Sequence, residues 1–177
     1  MSDPLSAFRF RIDFYKAAVD AAQRPPDQAR PSGERVPLCG GSFSECSGLE
    51  ATMEPKVIRA GGNNYGDHQR AGYVSFATVV LKRGITASRS LWLWFDFIAR
   101  GQTAPRLTAE LVHLLPGDDP DTGGGALIWE MRNALPVKFK AATYNATAAD
   151  VGVEELHFVH EGLRLRPGPA APGRTGP

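Results

Sequence analysis

The sequence predicts a mainly β domain carrying one α-helix, and three observations carry that expectation. Phe8, Phe10, Ile12 and Phe14 alternate with Arg9, Arg11 and Asp13, the period-two pattern of a strand with one face on a core and the other in water. Leu107, Ala109, Leu111 and Leu115 repeat that pattern within residues 106–115. Only one stretch, about residues 87–100, combines helical length with helical start and stop signals.

The elements follow in order. Strand 8–14 leads into residues 21–37, where Pro25, Pro26, Pro31 and Pro37 remove donors and fix φ, so this segment reads as a long exposed loop holding neither ladder nor helix. Strand character returns over residues 38–50 and 53–59. It stops at Ala60-Gly61-Gly62-Asn63-Asn64-Tyr65-Gly66, whose glycines and asparagines tolerate positive φ. Residues 73–82 carry apolar side chains on both parities (Val74, Phe76 and Val80; Ala77, Val79 and Leu81), the mark of a central strand covered on both faces.

The helix has Thr86 or Ser88 as a cap, Arg100 suited to the C-terminal dipole and Gly101 to end it. Leu91, Trp92, Leu93, Trp94, Phe95, Phe97 and Ile98 surround nearly its whole circumference, so it needs cover on all sides. After strand 106–115, residues 116–125 form a wide Pro/Gly turn. Leu127, Trp129 and Met131 share a strand face that breaks at Asn133-Ala134-Leu135-Pro136 and resumes at Val137 and Phe139; residues 145–150 suit either a turn or a short helical piece. In the last strand, 151–166, Leu156 and Phe158 are even and Leu163 and Leu165 odd, a slip expected of a β-bulge at Gly162. One domain therefore spans residues 1–166, and the Pro/Gly-rich residues 167–177 read as a disordered tail.

Composition narrows the function. At 177 residues, 42% hydrophobic and 22% charged, the chain suits one domain with a core. Its net charge of +1 offers no electrostatic footprint for nucleic acid or an anionic membrane. The start, Met1-Ser2-Asp3-Pro4, lacks a basic n-region and no apolar run is long enough to span a bilayer, so synthesis as a soluble cytoplasmic chain is expected, without membrane insertion. Cys39 and Cys46, if on one strand, lie roughly 20 Å apart at about 3.3 Å per residue, which suits two reduced, packed thiols.

Catalytic and cofactor chemistry is not encoded in any recognisable form. His157 and His160 are three apart on a strand, the wrong spacing for a metal pair. The glycine runs at 61–62 and 123–125 lack the Gly-Lys-Ser/Thr ending and following helix of a phosphate loop. Ser42, Ser44 and Ser47 sit in no nucleophile elbow. Lys82 and Arg83 read as the solvated end of a strand, without the aromatic interleaving that base stacking uses. The expectation is a non-enzyme with no cofactor and no metal. The Trp92–Phe95 cluster reads first as an interface.

The run Gly41-Ser42-Phe43-Ser44-Glu45-Cys46-Ser47-Gly48-Leu49-Glu50 resembles the tail tube family of contractile phages and phage-tail-like contractile injection systems. It is followed in the family's order by Arg59-Ala60-Gly61-Gly62-Asn63-Asn64, by Leu81-Lys82-Arg83-Gly84-Ile85-Thr86 ahead of a Trp-containing helix, by Trp129 with Asn133-Ala134-Leu135-Pro136-Val137-Lys138, and by Glu154-Glu155-Leu156 and His160-Glu161-Gly162-Leu163. The chain departs from the family at Arg70-Ala71-Gly72, where a Leu-Pro-Gly-like turn is common, at Cys46, which replaces an aliphatic residue, and in the long loop 21–37.

The resemblance implies two packed antiparallel sheets in a barrel-like sandwich with one flanking helix, the sheets continued between subunits in a hexameric ring. Rings stack into an inner tube around a lumen for cargo, with a sheath protein and baseplate and tube-terminating proteins as partners. The particle is assembled in the cell as a phage tail or injection device, with extracellular release a further expectation. Subunit-interface candidates are Gly61, Gly62, Asn63, Asn64, Lys82, Arg83, Trp92 and Phe95. The strand 43–50 and a partner strand 53–59 resemble the lumen-lining hairpin, with Glu45, Glu54 and Lys56 as lumen-facing candidates. A first-ring initiator joining tube to baseplate is an alternative on the same fold. A ligand-binding β-barrel, with helix 92–97 closing an apolar cavity, is the competing class.

Overall fold

The computed structural model describes residues 9–16, 35–36, 43–59, 61–62, 65–101, 106–119, 124–144, 147 and 151–168. Phe8, residues 21–34, Pro37, Cys39, Asn63, Asn64, residues 145–146 and 148–150 and the tail from residue 169 lie outside them. The strands are β1 (Phe10–Lys16), β2 (Arg35–Val36), β3 (Glu45–Ser47), β4 (Ala51–Met53), β5 (Lys56–Ile58), β6 (His68–Arg70), β7 (Val74–Phe76) and β8 (Val79–Gly84). Helix α1 (Ser90–Ala99) precedes β9 (Leu107–His113), β10 (Leu127–Lys140), β11 (Val153–Val159) and β12 (Gly162–Pro167).

The main sheet runs β2-β1-β9-β10-β11-β8-β3, with β12 also beside β10. Every ladder in it is antiparallel. This sheet is rolled. In a flat sheet β1 and β11, three strand spacings apart, would stand about 14 Å from one another, yet the rings of Phe14 and Phe158 meet at 6.1 Å. Trp94 of α1 joins them edge-on, 5.2 Å from Phe14. Leu81, Met131 and Leu156 complete a fully buried interior drawn from both halves of the sheet. Among the described residues no ladder joins β2 to β3, so the ends of the order stay open.

Strand β10 makes the roll possible. It is one strand of 14 residues, where the sequence suggested a break at 133–136. Its first half pairs with β9 and β12 and its second with β11. Between the halves Asn133 takes φ 54°, a left-handed conformation that asparagine tolerates. The parity that faces the main core changes there, from Trp129 and Met131 to Ala134. The facing chain changes parity too, from Leu163 in β12 to Phe158 and Leu156 in β11. The Glu161 amide donates to the Arg132 carbonyl (2.9 Å) and the Asn133 side-chain amide to the Glu161 carboxylate (2.7 Å). The anticipated slip is therefore real, but it falls at residues 160–161 opposite Asn133 and splits the strand in two.

Other boundaries moved for local reasons. Arg35–Val36 pairs with β1 inside the anticipated loop, because that ladder uses two non-proline residues. Residues 73–82 divide into β7 and β8 at residues 77–78. The helix begins at Ser90 behind Arg89, without a side-chain cap, while Gly101 ends it at φ 71°. Pro167 belongs to β12, opposite Leu127, and the Gly168 amide donates to the Ala126 carbonyl, so the ordered chain passes the expected tail boundary. Asp13, read as wet, is buried in ion pairs with Arg11 (2.7 Å) and Arg35.

Candidate subunit interface

Strands β3 and β8 pair with Glu45 opposite Lys82, and the same register continues past the sheet into β4 and β7, where Ala51 faces Phe76 and Met53 faces Val74. A one-residue shift then sets Lys56 opposite Arg70 and Ile58 opposite His68. Residues 45–58 and 68–82 are thus the two sides of one long hairpin. Three rungs root it in the sheet, and the rest projects as a ribbon about 26 Å long, from eight residues at about 3.3 Å each. Glycines sit where its two sides pass closest. A Cβ on Gly48, at φ 86°, would lie 2.1 Å from the Thr78 carbonyl oxygen, and one on Gly72 1.9 Å from that of Glu54. Gly72 therefore marks a close crossing inside the ribbon, not the turn that the family pattern suggested.

The ribbon is amphipathic and, apart from Phe76 at its root, whose ring lies 5.1 Å from that of His160, largely exposed on both faces. Along 51–58 the odd positions include Ala51, Met53 and Val57, opposite Phe76, Val74 and Gln69. The even ones include Thr52, Glu54 and Lys56, opposite Ser75 and Arg70 where paired. All residues from 51 to 59 are exposed, Met53 by 53% and Val57 by 50%. An isolated two-stranded ribbon is marginal in water. One whose alternate side chains are apolar gains most from being covered on one side and wetted on the other. Glu54 and Lys56 share the polar parity, and Gly61 and Gly62 form the turn near the tip, Gly62 at φ 89°. The expected hairpin of 43–50 with 53–59 does not form: these segments follow one another along one side, and their partners are β8, β7 and β6.

A second uncovered surface lies on α1. Leu91 and Trp94 are buried, and Phe95 and Ile98 pack against the core. Trp92 meets Phe139 edge-on at 5.4 Å and lies tilted against Phe95 at 5.9 Å, yet Trp92, Leu93 and Phe97 remain exposed, Leu93 by 57%. The chain's own strands cover one side of this apolar helix and leave the other open.

The outer face of β3, β8, β11 and β10 carries a single rung of alternating charge: Glu45, Lys82, Glu155 and Lys140. Lys82 meets Glu45 and Lys140 meets Glu155, each at 2.9 Å. The hydrogen bond that Lys82 donates to Glu45 holds Lys82 above its ordinary pKa, and the one that Lys140 donates to Glu155 holds Glu155 below its own. Opposite charges directly across a ladder stabilise it, and this face spends its charges on itself.

Arg83, read as solvated, is 1% exposed. Its Nε meets Glu154 at 2.5 Å, its Nη2 reaches the Ser88 carbonyl (3.4 Å), and it lies over the Phe43 ring. Alternation along β8 explains the correction, since Val79, Leu81 and Arg83 share the inward parity. Cys46, a free thiol against the core, is pushed up to about 12 by burial and then by Glu45, so it stays protonated at neutral pH.

The family model for the T4-like virus tail tube protein gp19 matches residues 6–164. The chain belongs to the tail tube family. No curated protein matches it. Among solved structures, a chain of the anti-feeding prophage baseplate superposes with a TM-score of 0.69 at 23% identity, over 94% of this tail tube chain and 98% of the other. A chain of the sheath–tube complex of an extracellular contractile injection system in its extended state gives 0.67 at 18%, over 93% and 92%. A chain of the anti-feeding prophage tube-terminating cap gives 0.67 at 15%, over 94% and 93%. These similarities establish a shared fold. In the tail tube chain the fold leaves two apolar surfaces uncovered, on the ribbon and on α1.

Proposed function

We propose that this chain is the inner tube subunit of a phage-tail-like contractile injection system or contractile phage tail, non-enzymatic, and that it forms stacked hexameric rings around a lumen for cargo. The observation that carries this reading is the rooted, amphipathic ribbon whose residues 51–59 are exposed on both faces. A neighbouring copy supplies the cover for Met53, Val57 and Val74, and the ring interior leaves Glu54, Lys56 and the self-paired Glu45 rung in water. Gly61, Gly62, Asn63 and Asn64, and the side of α1 around Trp92 and Phe95, face adjacent subunits.

The self-neutralised rung suits a conduit wall, because paired charges hold water and adhere weakly to whatever passes. A sheath protein outside, a baseplate below and a terminating protein above are the partners that the relatives' particles suggest. Assembly inside the cell into such a particle follows, and release where the particle is released. The ligand-binding alternative is less favoured, because Trp94, the inward-facing aromatic side chain that is most buried on the helix, is engaged edge-on with Phe14 instead of lining a cavity.

Electron microscopy of the purified full-length chain at increasing concentration tests the reading. Stacked six-fold rings with a central channel are expected. Single rings that never stack would favour a first-ring initiator, and a monodisperse monomer at all concentrations would overturn the tube reading.

A further inference from the structure

The outer face of β1, β9, β10 and β12 carries a rung unlike the alternating one. Asp13 stands opposite Glu110, Glu110 opposite Glu130, and Glu130 opposite Arg164. Three carboxylates are thus consecutive across adjacent strands, and all three are buried. Like charges directly opposite one another destabilise a ladder, so compensation has to come from the flanking rungs.

That compensation is uneven. Asp13 is held by Arg11 and by Arg35 of β2. Glu130 is held by Arg132 at 2.9 Å and Arg166 at 3.0 Å. Glu110 has a carboxylate on each side, and it shares Arg166 with Glu130. Tyr15, opposite Thr108 one rung away, and Arg164, opposite Glu130, also lie on this face. The middle position is the crowded one, and protonating Glu110 relieves two like-charge contacts at once while leaving Arg166 to Glu130.

We propose that Glu110 is a proton acceptor built into the subunit, so that mild acidification tightens the β1–β9–β10–β12 face. Burial first, then Glu130 and Asp13, raise the Glu110 carboxyl above its ordinary range against the opposing pull of Arg166. The folded chain then binds this proton at a higher pH than the unfolded chain. Stability from Glu110 rises as pH falls from the raised value toward the ordinary carboxylate value, and is lost as pH rises back through it. His160 acts the other way. Burial holds it below its ordinary value, and its contribution is lost on acidification, so only a comparison of variants isolates Glu110.

Melting of the full-length chain at about pH 7.5 and about pH 5, for wild type, Glu110→Gln and Arg166→Gln, tests the proposal. Glu110→Gln keeps the shape and removes the charge. It is expected to melt above wild type by about 2–4 °C at the higher pH, and by less at the lower. Arg166→Gln is expected to lose less at the lower pH than at the higher, because a protonated Glu110 no longer needs the guanidinium. A Glu110→Gln offset of the same size at both pH values, or an Arg166→Gln loss independent of pH, would overturn it. If Glu110→Gln does not fold, the pH dependence of the Arg166→Gln loss decides alone.

Discussion

Replacing Met53 with aspartate is expected to leave the isolated chain folded and to abolish its assembly. Met53 stands on the ribbon's apolar parity and is 53% exposed in the single chain, so a charge there meets water and changes monomer stability by no more than about 0.5 kcal/mol. Against a neighbour the same carboxylate is buried without a partner, at a cost of several kcal/mol, roughly 2–7, repeated at every contact around a ring. Val57→Asp, one apolar position further out, is expected to act in the same way. Light scattering and imaging check the pair. Both variants should stay monomeric where wild type forms rings, with a melting temperature near that of the unassembled wild-type chain. Normal rings from both would remove the ribbon from the interface.

The largest effect on the subunit itself is expected at Arg83. Arg83→Ala strands the Glu154 carboxylate and removes the tie to the start of α1 at Ser88. Breaking a buried pair from one side costs about 3–5 kcal/mol. Glu154 keeps some contact with solvent, which favours the lower end. At about 3 kcal/mol the melting temperature should fall by roughly 6–12 °C. The double change Arg83→Met with Glu154→Leu should recover most of that loss, since an apolar pair of similar volume often substitutes for a buried ion pair. Calorimetry on the unassembled chain separates the two cases. An unchanged melting temperature in Arg83→Ala would mean that the pair contributes nothing.

The sequence made the inner faces legible and left the outer ones obscure. Ile12 and Phe14, and Leu107, Ala109 and Leu111, alternate cleanly because a core excludes charge from every second position. The ordered motifs from Phe43 to Leu163 were enough to reach the tail tube family, although they say little about pairing. Pairing in the ribbon was illegible for a physical reason. Residues 51–58 and 68–75 contribute no side chain to the core, so their register rests on backbone hydrogen bonds and on glycine at two close crossings instead of a buried stripe.

Charge misled in two ways. Arg83 sits on a core-facing parity, where an arginine is unexpected unless a partner such as Glu154 is known to lie across the ladder. Asp13, Glu110 and Glu130 sit on the wet parity, where carboxylates look solvated, yet arginines from four neighbouring positions bury them. A signal was present: Arg11, Arg132, Arg164 and Arg166 occupy the same outward parity as those acids on neighbouring strands. Only the strand order reveals that they meet. The helix, apolar nearly all round, was the clearest hint of assembly, and its open side bearing Leu93 and Phe97 remains uncovered here.

Hydrogen exchange of the ribbon amides, followed in the dispersed chain and in its assembled form, bears most directly on whether copies of the chain complete one another. Amides of residues 51–58 and 68–76 should exchange fast when the chain is dispersed and become protected on assembly, while those of β9 and β10 are protected in both. Ribbon amides equally protected in the dispersed chain, or equally fast in the assembly, would contradict it.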